Sequence, residues 1–192
     1  MSALALERCR QKTRLGLKGP RAEAWLTAQG IALPAAPNTW VCSKAGLGAD
    51  ALLVARLGQS EFFLEDDAAG ATLQRLAPSL DRHLPGVYPV LREDWGFNLG
   101  GDGVHEVLAQ VCNVNFAALP ADSHPVIMTL MIGVAVLVVP RARAAGKGSA
   151  SGQGAGERRY RIWCDPTFGA YFAQALGTVV NECGGRSTGV SG

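Results

Sequence analysis

The sequence lacks both an excess of one charge and a long uninterrupted hydrophobic segment. Its 192 residues contain 18 Lys and Arg against 16 Asp and Glu, a formal net charge of +2. No segment concentrates basic residues with aromatic ones, so we expect no nucleic-acid partner. The longest apolar segment, 126–140, is interrupted by Thr129 and Gly133 and is shorter than the roughly 20 residues of a membrane-spanning helix. Since the N-terminus also lacks the apolar region of a signal peptide, we expect a cytoplasmic protein with no membrane contact.

Cysteine pairs and histidines at metal-ligand spacing are also lacking. The two closest of the five cysteines lie 19 residues apart, and no Cys-x-x-Cys motif is present. We therefore predict no metal site and five free, buried and reduced thiols. His83, His105 and His124 are isolated from one another in the sequence, and we assign them surface or capping roles.

The glycines form none of the phosphate-binding patterns. The stretch 146–149 has a Gly-Lys pair, but Arg141 stands where a phosphate-binding loop needs its first glycine. The strand-to-helix turn at 17–22 lacks the glycine spacing of a dinucleotide site, and no Gly-x-Ser-x-Gly elbow exists. We predict no catalytic residue in this chain.

Hydrophobic periodicity predicts an α+β fold. The first half, 13–92, has a strand at 13–17 and a helix that follows Gly19-Pro20 and ends at Gly30. After a long loop at 32–50, a hairpin (51–57 and 61–65), a helix capped by Asp66-Asp67 and a strand at 87–92 complete the order β-α-β-β-α-β. This order is the split βαβ, or ferredoxin-like, arrangement.

The second half, 95–183, repeats much of the first. At an offset of 82 residues, Leu17 falls on Leu99, Gly19 on Gly101 and Leu26 on Leu108. We predict two ferredoxin-like repeats packed together within a single domain, 13–183. Around them we expect an N-terminal lead-in at 1–12, a flexible glycine-rich insertion at 141–157 and a disordered tail at 184–192.

One acidic residue has surroundings that suit ligand binding. Asp94 precedes Trp95, with Phe97 two residues on, and an acid beside an aromatic ring can serve as a general acid or bind a ligand amine. The structural alternative is a turn or cap acid. These three residues are the candidates for a ligand pocket.

Five segments together carry a family resemblance: 13–26, 55–64, 107–116, 129–139 and 160–172. In this order they resemble the gamma subunits of heterotetrameric sarcosine oxidases, which are similar to the aminomethyltransferase (glycine-cleavage T protein) and its folate-binding kin. The likeness implies that the two repeats form the N-terminal part of the aminomethyltransferase fold. Two departures stand out: Pro166-Thr-Phe-Gly169 replaces the family's Arg-Ser-Phe-Ala, and the Lys-Gly-Cys-Tyr-x-Gly-Gln signature is missing. We also expect none of the C-terminal barrel of a complete T protein.

The resemblance implies a non-catalytic accessory subunit of a sarcosine-oxidase-like complex in one-carbon metabolism. FAD, FMN, NAD, tetrahydrofolate and zinc would be held by its partners, which are larger flavin- and folate-binding subunits and a small zinc subunit. Two alternatives stay open. One is a stand-alone folate-binding protein or one-carbon transferase, for which the resemblance makes Asp94, Trp95 and Phe97 the candidates for a folate pocket. The other is a ferredoxin-like interaction module of another complex. Whether the chain is an enzyme is left undecided.

Overall fold

The computed structural model describes residues 3–10, 12–43, 52–66, 70–80, 84–120, 123–142 and 158–189. Four helices and eleven strands are mixed along this part of the chain, which confirms the α+β class. The chain folds into two compact units. Unit 1 comprises Met1–Cys9, Asp94–Ser123 and Ile127–Gly192, and unit 2 comprises Arg10–Glu93 and His124–Val126. Among the described helices, none has the length and apolar character needed to cross a membrane.

Unit 2 is a five-stranded antiparallel sheet in the order β3-β4-β5-β2-β6. Its elements are β2 (Arg14–Lys18), α1 (Ala22–Ala28), β3 (Thr39–Ser43), β4 (Leu52–Arg56), β5 (Glu61–Glu65), α2 (Ala71–Leu80) and β6 (Tyr88–Val90). The two helices bury an apolar face against the sheet, where Leu17, Leu26 and Phe62 are fully buried in the core.

Two polar interactions stabilise the C-terminal end of β5. Arg14 and Glu65 lie opposite each other on β2 and β5, and their side chains form a buried ion pair of 2.7 Å. The Asp66 carboxylate accepts hydrogen bonds from the backbone N–H groups of Thr72 and Leu73, at 2.8 and 3.0 Å. The predicted acidic cap of this helix is thus confirmed for Asp66, whereas Asp67 lies outside the described residues.

Unit 1 is a six-stranded sheet in the order β11-β1-β7-β10-β9-β8. Its elements are β1 (Ala5–Arg8), β7 (Trp95–Gly100), α3 (Val104–Val111), β8 (Ile127–Met131), β9 (Val134–Ala142), β10 (Arg158–Cys164), α4 (Gly169–Glu182) and β11 (Arg186–Thr188). Both helices pack on one face of the sheet, where Phe97 contacts Phe172 at a ring-centroid distance of 5.4 Å. Asp165 caps a 3-10 turn, Pro166–Phe168, which leads directly into α4, as the Asp-Pro pair predicts.

Three short strands lie where the sequence predicts none. The lead-in at 1–12 contains β1, and the tail at 184–192 contains β11, which pairs with β1 in parallel. The loop at 32–50 contains β3, at one edge of its sheet. These predictions were wrong because backbone pairing, which hydrophobic alternation does not report, holds such short strands in place. Residues 143–157, most of the predicted insertion, lie outside the described residues.

Candidate functional site

Among the described residues of unit 1 there is an open cavity of about 390 Å³. One face of α3 forms one side, and the segment that follows the helix forms the other. The lining residues are His105, Leu108, Ala109, Cys112, Asn113, Val114, Asn115, Phe116 and Ala117. This volume lies within the usual range for small-molecule sites, roughly 300–1,000 Å³.

One residue of the cavity wall, His105, is hydrogen-bonded to a buried tyrosine behind it. Nε2 of His105 lies 2.7 Å from the hydroxyl of Tyr160, a residue of β10 that is 1 % exposed. The ring of Phe116 packs edge-on against Tyr160 at 5.3 Å, and the His105 ring does so at 5.9 Å. Because Tyr160 points from the sheet into the core, it fixes the position of the imidazole at the cavity wall.

The described lining residues of the cavity include polar groups but no Asp, Glu, Lys or Arg. The amide of Asn115 is already engaged, since its oxygen accepts a hydrogen bond from the N–H of Ala118 at 3.3 Å. An imidazole, two amides and apolar side chains can bind a small neutral molecule. A carboxylate that would pair with His105 for acid–base chemistry is lacking among these residues.

The predicted folate-pocket residues lie elsewhere in unit 1. Asp94 and Trp95 are half-buried at the start of β7, and Phe97 is fully buried in the core. None of the three is among the residues that line the 390 Å³ cavity. Phe97 has no surface to offer a ligand, because its alternation along β7 turns it onto the helices. Folate binding by Asp94 and Trp95 stays a prediction.

Trp95 is instead packed on two sides. The guanidinium of Arg8, on β1, lies 2.9 Å from the centroid of the indole ring. Gly169, the first residue of α4, lies so close to the same ring that a Cβ atom at this position would overlap it. The absence of a side chain at Gly169 therefore allows the helix to begin against Trp95, and this contact gives Trp95 a structural role.

Cys164 lies beside this cluster, paired with Trp95 across β10 and β7. Burial, followed by the nearby carboxylates of Asp94 and Asp165, raises the pKa of its thiol to about 12, although Arg8 acts in the opposite direction. Hydrogen bonds from Thr167 hold the pKa of Asp165 below its ordinary value. Cys164 is therefore a neutral, structural thiol and lacks the thiolate character of a nucleophile.

The remaining histidines and cysteines also have simple roles. His124 packs its ring on Trp40 at 5.0 Å, and His83 lies outside the described residues. None of the five cysteines forms a disulfide in the structure. Burial was predicted for all five, but only Cys112 and Cys164 are buried, and Cys42 is exposed. Within the described ranges, no group of three or more His, Cys, Asp or Glu side chains could hold a metal ion.

The His105–Tyr160 pair was missed by the sequence analysis. The sequence predicts a surface or capping role for His105, whereas Tyr160, to which it is hydrogen-bonded, lies 55 residues away in the chain. The available signal was the alternation of 159–164, which places Tyr160 on the same face as the apolar Ile162 and implies a buried hydroxyl in need of a partner.

Comparison with known proteins establishes the fold. No family model matches the chain, and no curated protein matches its sequence. A chain of the heterotetrameric sarcosine oxidase from Corynebacterium sp. U-96, solved with pyrrole 2-carboxylate, matches with a TM-score of 0.65 and 22 % identity, over 92 % of this chain and 83 % of that one. The glycine cleavage system aminomethyltransferase T from Bartonella henselae matches with a TM-score of 0.58 and 18 % identity.

The second match covers 91 % of this chain but only 45 % of the aminomethyltransferase, so the chain spans less than half of that enzyme. At these identities the likeness establishes a common fold. The resemblance predicted from the sequence motifs is confirmed at this level.

Proposed function

We propose that this chain is a non-catalytic accessory subunit of a heterotetrameric, sarcosine-oxidase-like flavoenzyme. The complex would oxidatively demethylate an N-methyl amine and pass the one-carbon unit to tetrahydrofolate. The observation that carries the proposal is the fold shared with a sarcosine oxidase chain over 92 % of this chain and 83 % of that one. A match over most of both chains favours an equivalent subunit rather than a shared fragment.

The chemistry of the described residues supports an accessory role. The 390 Å³ cavity has no carboxylate, lysine or arginine in its described lining, and Cys164 is held as a neutral thiol. In this proposal FAD, FMN, NAD, tetrahydrofolate and zinc belong to the partners, which are larger flavin- and folate-binding subunits and a small zinc subunit in the cytoplasm. This chain contributes packing surface.

We further propose that the two units are ferredoxin-like repeats from an internal duplication. The strand order β3-β4-β5-β2-β6 of unit 2 has a counterpart, β8-β9-β10-β7-β1, in unit 1. Gly19 and Gly101, which are 82 residues apart, both have positive φ, at 123° and 106°. Each lies against a backbone carbonyl that shortly precedes a paired strand: Gly19 against the carbonyl of Gly86, before β6, and Gly101 against that of Ala3, before β1. Only glycine adopts this conformation readily, so the shared turn supports the predicted offset.

Purification of the tagged chain from its native host tests the proposed function. We expect a yellow eluate that has flavin absorption bands and contains larger polypeptides in fixed ratio to this chain. A colourless single 20 kDa species, under conditions that keep complexes intact, would overturn the proposal.

A stand-alone folate-binding protein is the second candidate, favoured by the fold shared with aminomethyltransferase T. It requires a concave pocket with a converging carboxylate, but Asp94 does not line the described cavity. The residues present therefore fit a folate poorly. A ligand that binds the native state raises Tm by mass action, so a flat melting temperature at saturating tetrahydrofolate would exclude this candidate.

A further inference from the structure

We propose that a pocket in unit 2 binds a small carboxylate whose remaining atoms are apolar, and that Arg21 is the group that holds its charge. The pocket has a volume of about 260 Å³ and lies between one side of α1 and the segment 84–87. We call it the Arg21 pocket; its lining residues include Arg21, Ala24, Trp25, Ala28, Leu84 and Val87. Such a site lies outside the proposed function and does not depend on it.

The walls of the Arg21 pocket are apolar and continuous with the core of unit 2. Trp25 and Leu84 are half-buried and pack against that core, and Val87 is 6 % exposed. Ala24 and Ala28 lie one turn apart on α1, and their small side chains leave the space beside the indole ring open. The apolar atoms of a ligand that enters this space leave water, which favours binding.

Arg21 brings a charge to this pocket that no acid neutralises. Of the described residues that line the pocket, Arg21 alone is charged, and within the described ranges its guanidinium forms no hydrogen bond or ion pair. Glu23, the acid next to it in the sequence, is already held by Arg56 through bonds of 2.8 and 3.2 Å. Four other arginines of unit 2 each have a polar partner: a carboxylate for Arg14, Arg56 and Arg92, and a backbone carbonyl for Arg75.

Contacts with Gly86 hold the Arg21 stem in place. The backbone N–H of Arg21 donates a hydrogen bond of 2.9 Å to the carbonyl of Gly86. A Cβ atom at position 86 would lie only 3.0 Å from Cγ and 3.1 Å from Cδ of Arg21, so the absence of a side chain makes room for this stem. Because the stem is already packed, less side-chain freedom is lost when the guanidinium takes a ligand.

Charge, shape and volume together define the class of ligand. One guanidinium balances one negative charge, and its planar set of N–H donors matches a carboxylate with two hydrogen bonds. An ammonium group on the same ligand would lose its hydration without finding an acid among the described lining residues, so free amino acids are disfavoured. The volume lies just below the roughly 300 Å³ at which small-molecule sites usually begin. The ligand is therefore a single ring or a short branched chain with its carboxylate.

Titration of the purified full chain with benzoate, and with its neutral analogue benzamide, tests the site. The two probes have nearly the same shape, so the ratio of their Kd values, measured from amide NMR spectra, reports the charge. Arg21→Gln removes the cation, and the matched control Arg75→Gln removes an exposed arginine from α2 of the same unit. Ala28→Met fills the pocket and leaves the charge in place.

We expect benzoate to bind at least about tenfold more tightly than benzamide and to shift the amide signals of residues 21–28 and 84–87. Arg21→Gln should reduce the benzoate affinity to that of benzamide, and Ala28→Met should weaken both probes. Arg75→Gln should leave both Kd values within about twofold, since it removes an equal charge away from the pocket. Equal affinity of the wild-type chain for the two probes overturns the proposal without the use of any variant. Shifts spread over the surface, or an equal loss in the two arginine variants, overturn it in favour of non-specific attraction of anions.

Discussion

Replacing Glu65 by Gln removes one charge from the buried ion pair of unit 2 while keeping the side-chain shape. The Arg14 and Glu65 side chains are 7 % and 5 % exposed, and the bond between them is 2.7 Å. Removing one partner of such a pair costs about 3–5 kcal/mol, because the remaining charge stays buried without its counter-ion. Gln can still accept a hydrogen bond from Arg14, so we expect a loss near the lower limit, about 3 kcal/mol.

That loss is a large share of the roughly 5–15 kcal/mol that stabilises a domain. For a chain of 192 residues that unfolds as one cooperative unit, it corresponds to a Tm lowered by about 6–12 °C. Urea unfolding followed by circular dichroism gives the free energy, and calorimetry gives Tm. The matched control is Glu61→Gln, which breaks the more exposed 3.3 Å pair between Glu61 and Arg92 and should cost about 0–1 kcal/mol.

A difference of less than 1 kcal/mol between the Glu65 and Glu61 variants would refute the assignment of this stability to the buried charge pair. A second test separates charge from packing. Replacing Arg14 by Met and Glu65 by Leu together removes both charges, and we expect this double variant to recover most of the loss, because no unpaired ion is left in the core.

Two further predictions concern the cluster around Trp95. Gly169→Val should lower the free energy of unfolding by about 1–3 kcal/mol in urea titrations, since its Cβ overlaps the Trp95 ring, whereas Val at the exposed neighbour Ala170 should cost well under 1 kcal/mol. Equal losses would contradict the overlap. Cys164 should resist iodoacetamide at about pH 8 while exposed Cys42 reacts, and labelling of native Cys164 should begin only as the pH approaches its pKa of about 12, as read by peptide mass spectrometry.

The regular elements of both units could be predicted from the sequence because their side chains carry the pattern. In β5 every residue but the first is buried, and its predicted bounds, 61–65, are those observed. Leu17 and Leu99, aligned by the offset of 82, are both fully buried in their cores. Such positions are determined by local alternation and by burial, which a single sequence records directly.

The short edge strands and the site could not be predicted in this way. β3 lies in a stretch rich in proline and glycine, and its Trp40 and Ser43 are buried through pairing with β4 rather than through a longer apolar pattern. The wall of the cavity includes His105, which the fold brings to Tyr160 from a separate element. Contacts of this kind follow from tertiary structure, and no local spacing specifies them.

The pairing of β1 with β7 and β11 has a consequence for the order in which the chain can fold during synthesis. β1 is made before the strands it pairs with, which begin at Trp95 and Arg186, after all five strands of unit 2 have been translated. At roughly 5–20 residues per second, β1 waits several seconds for β7 and longer for β11. Unit 2 can complete its sheet in that interval, so the order of synthesis favours folding of unit 2 before unit 1. The sheet of unit 1 is complete only when β11 pairs with β1.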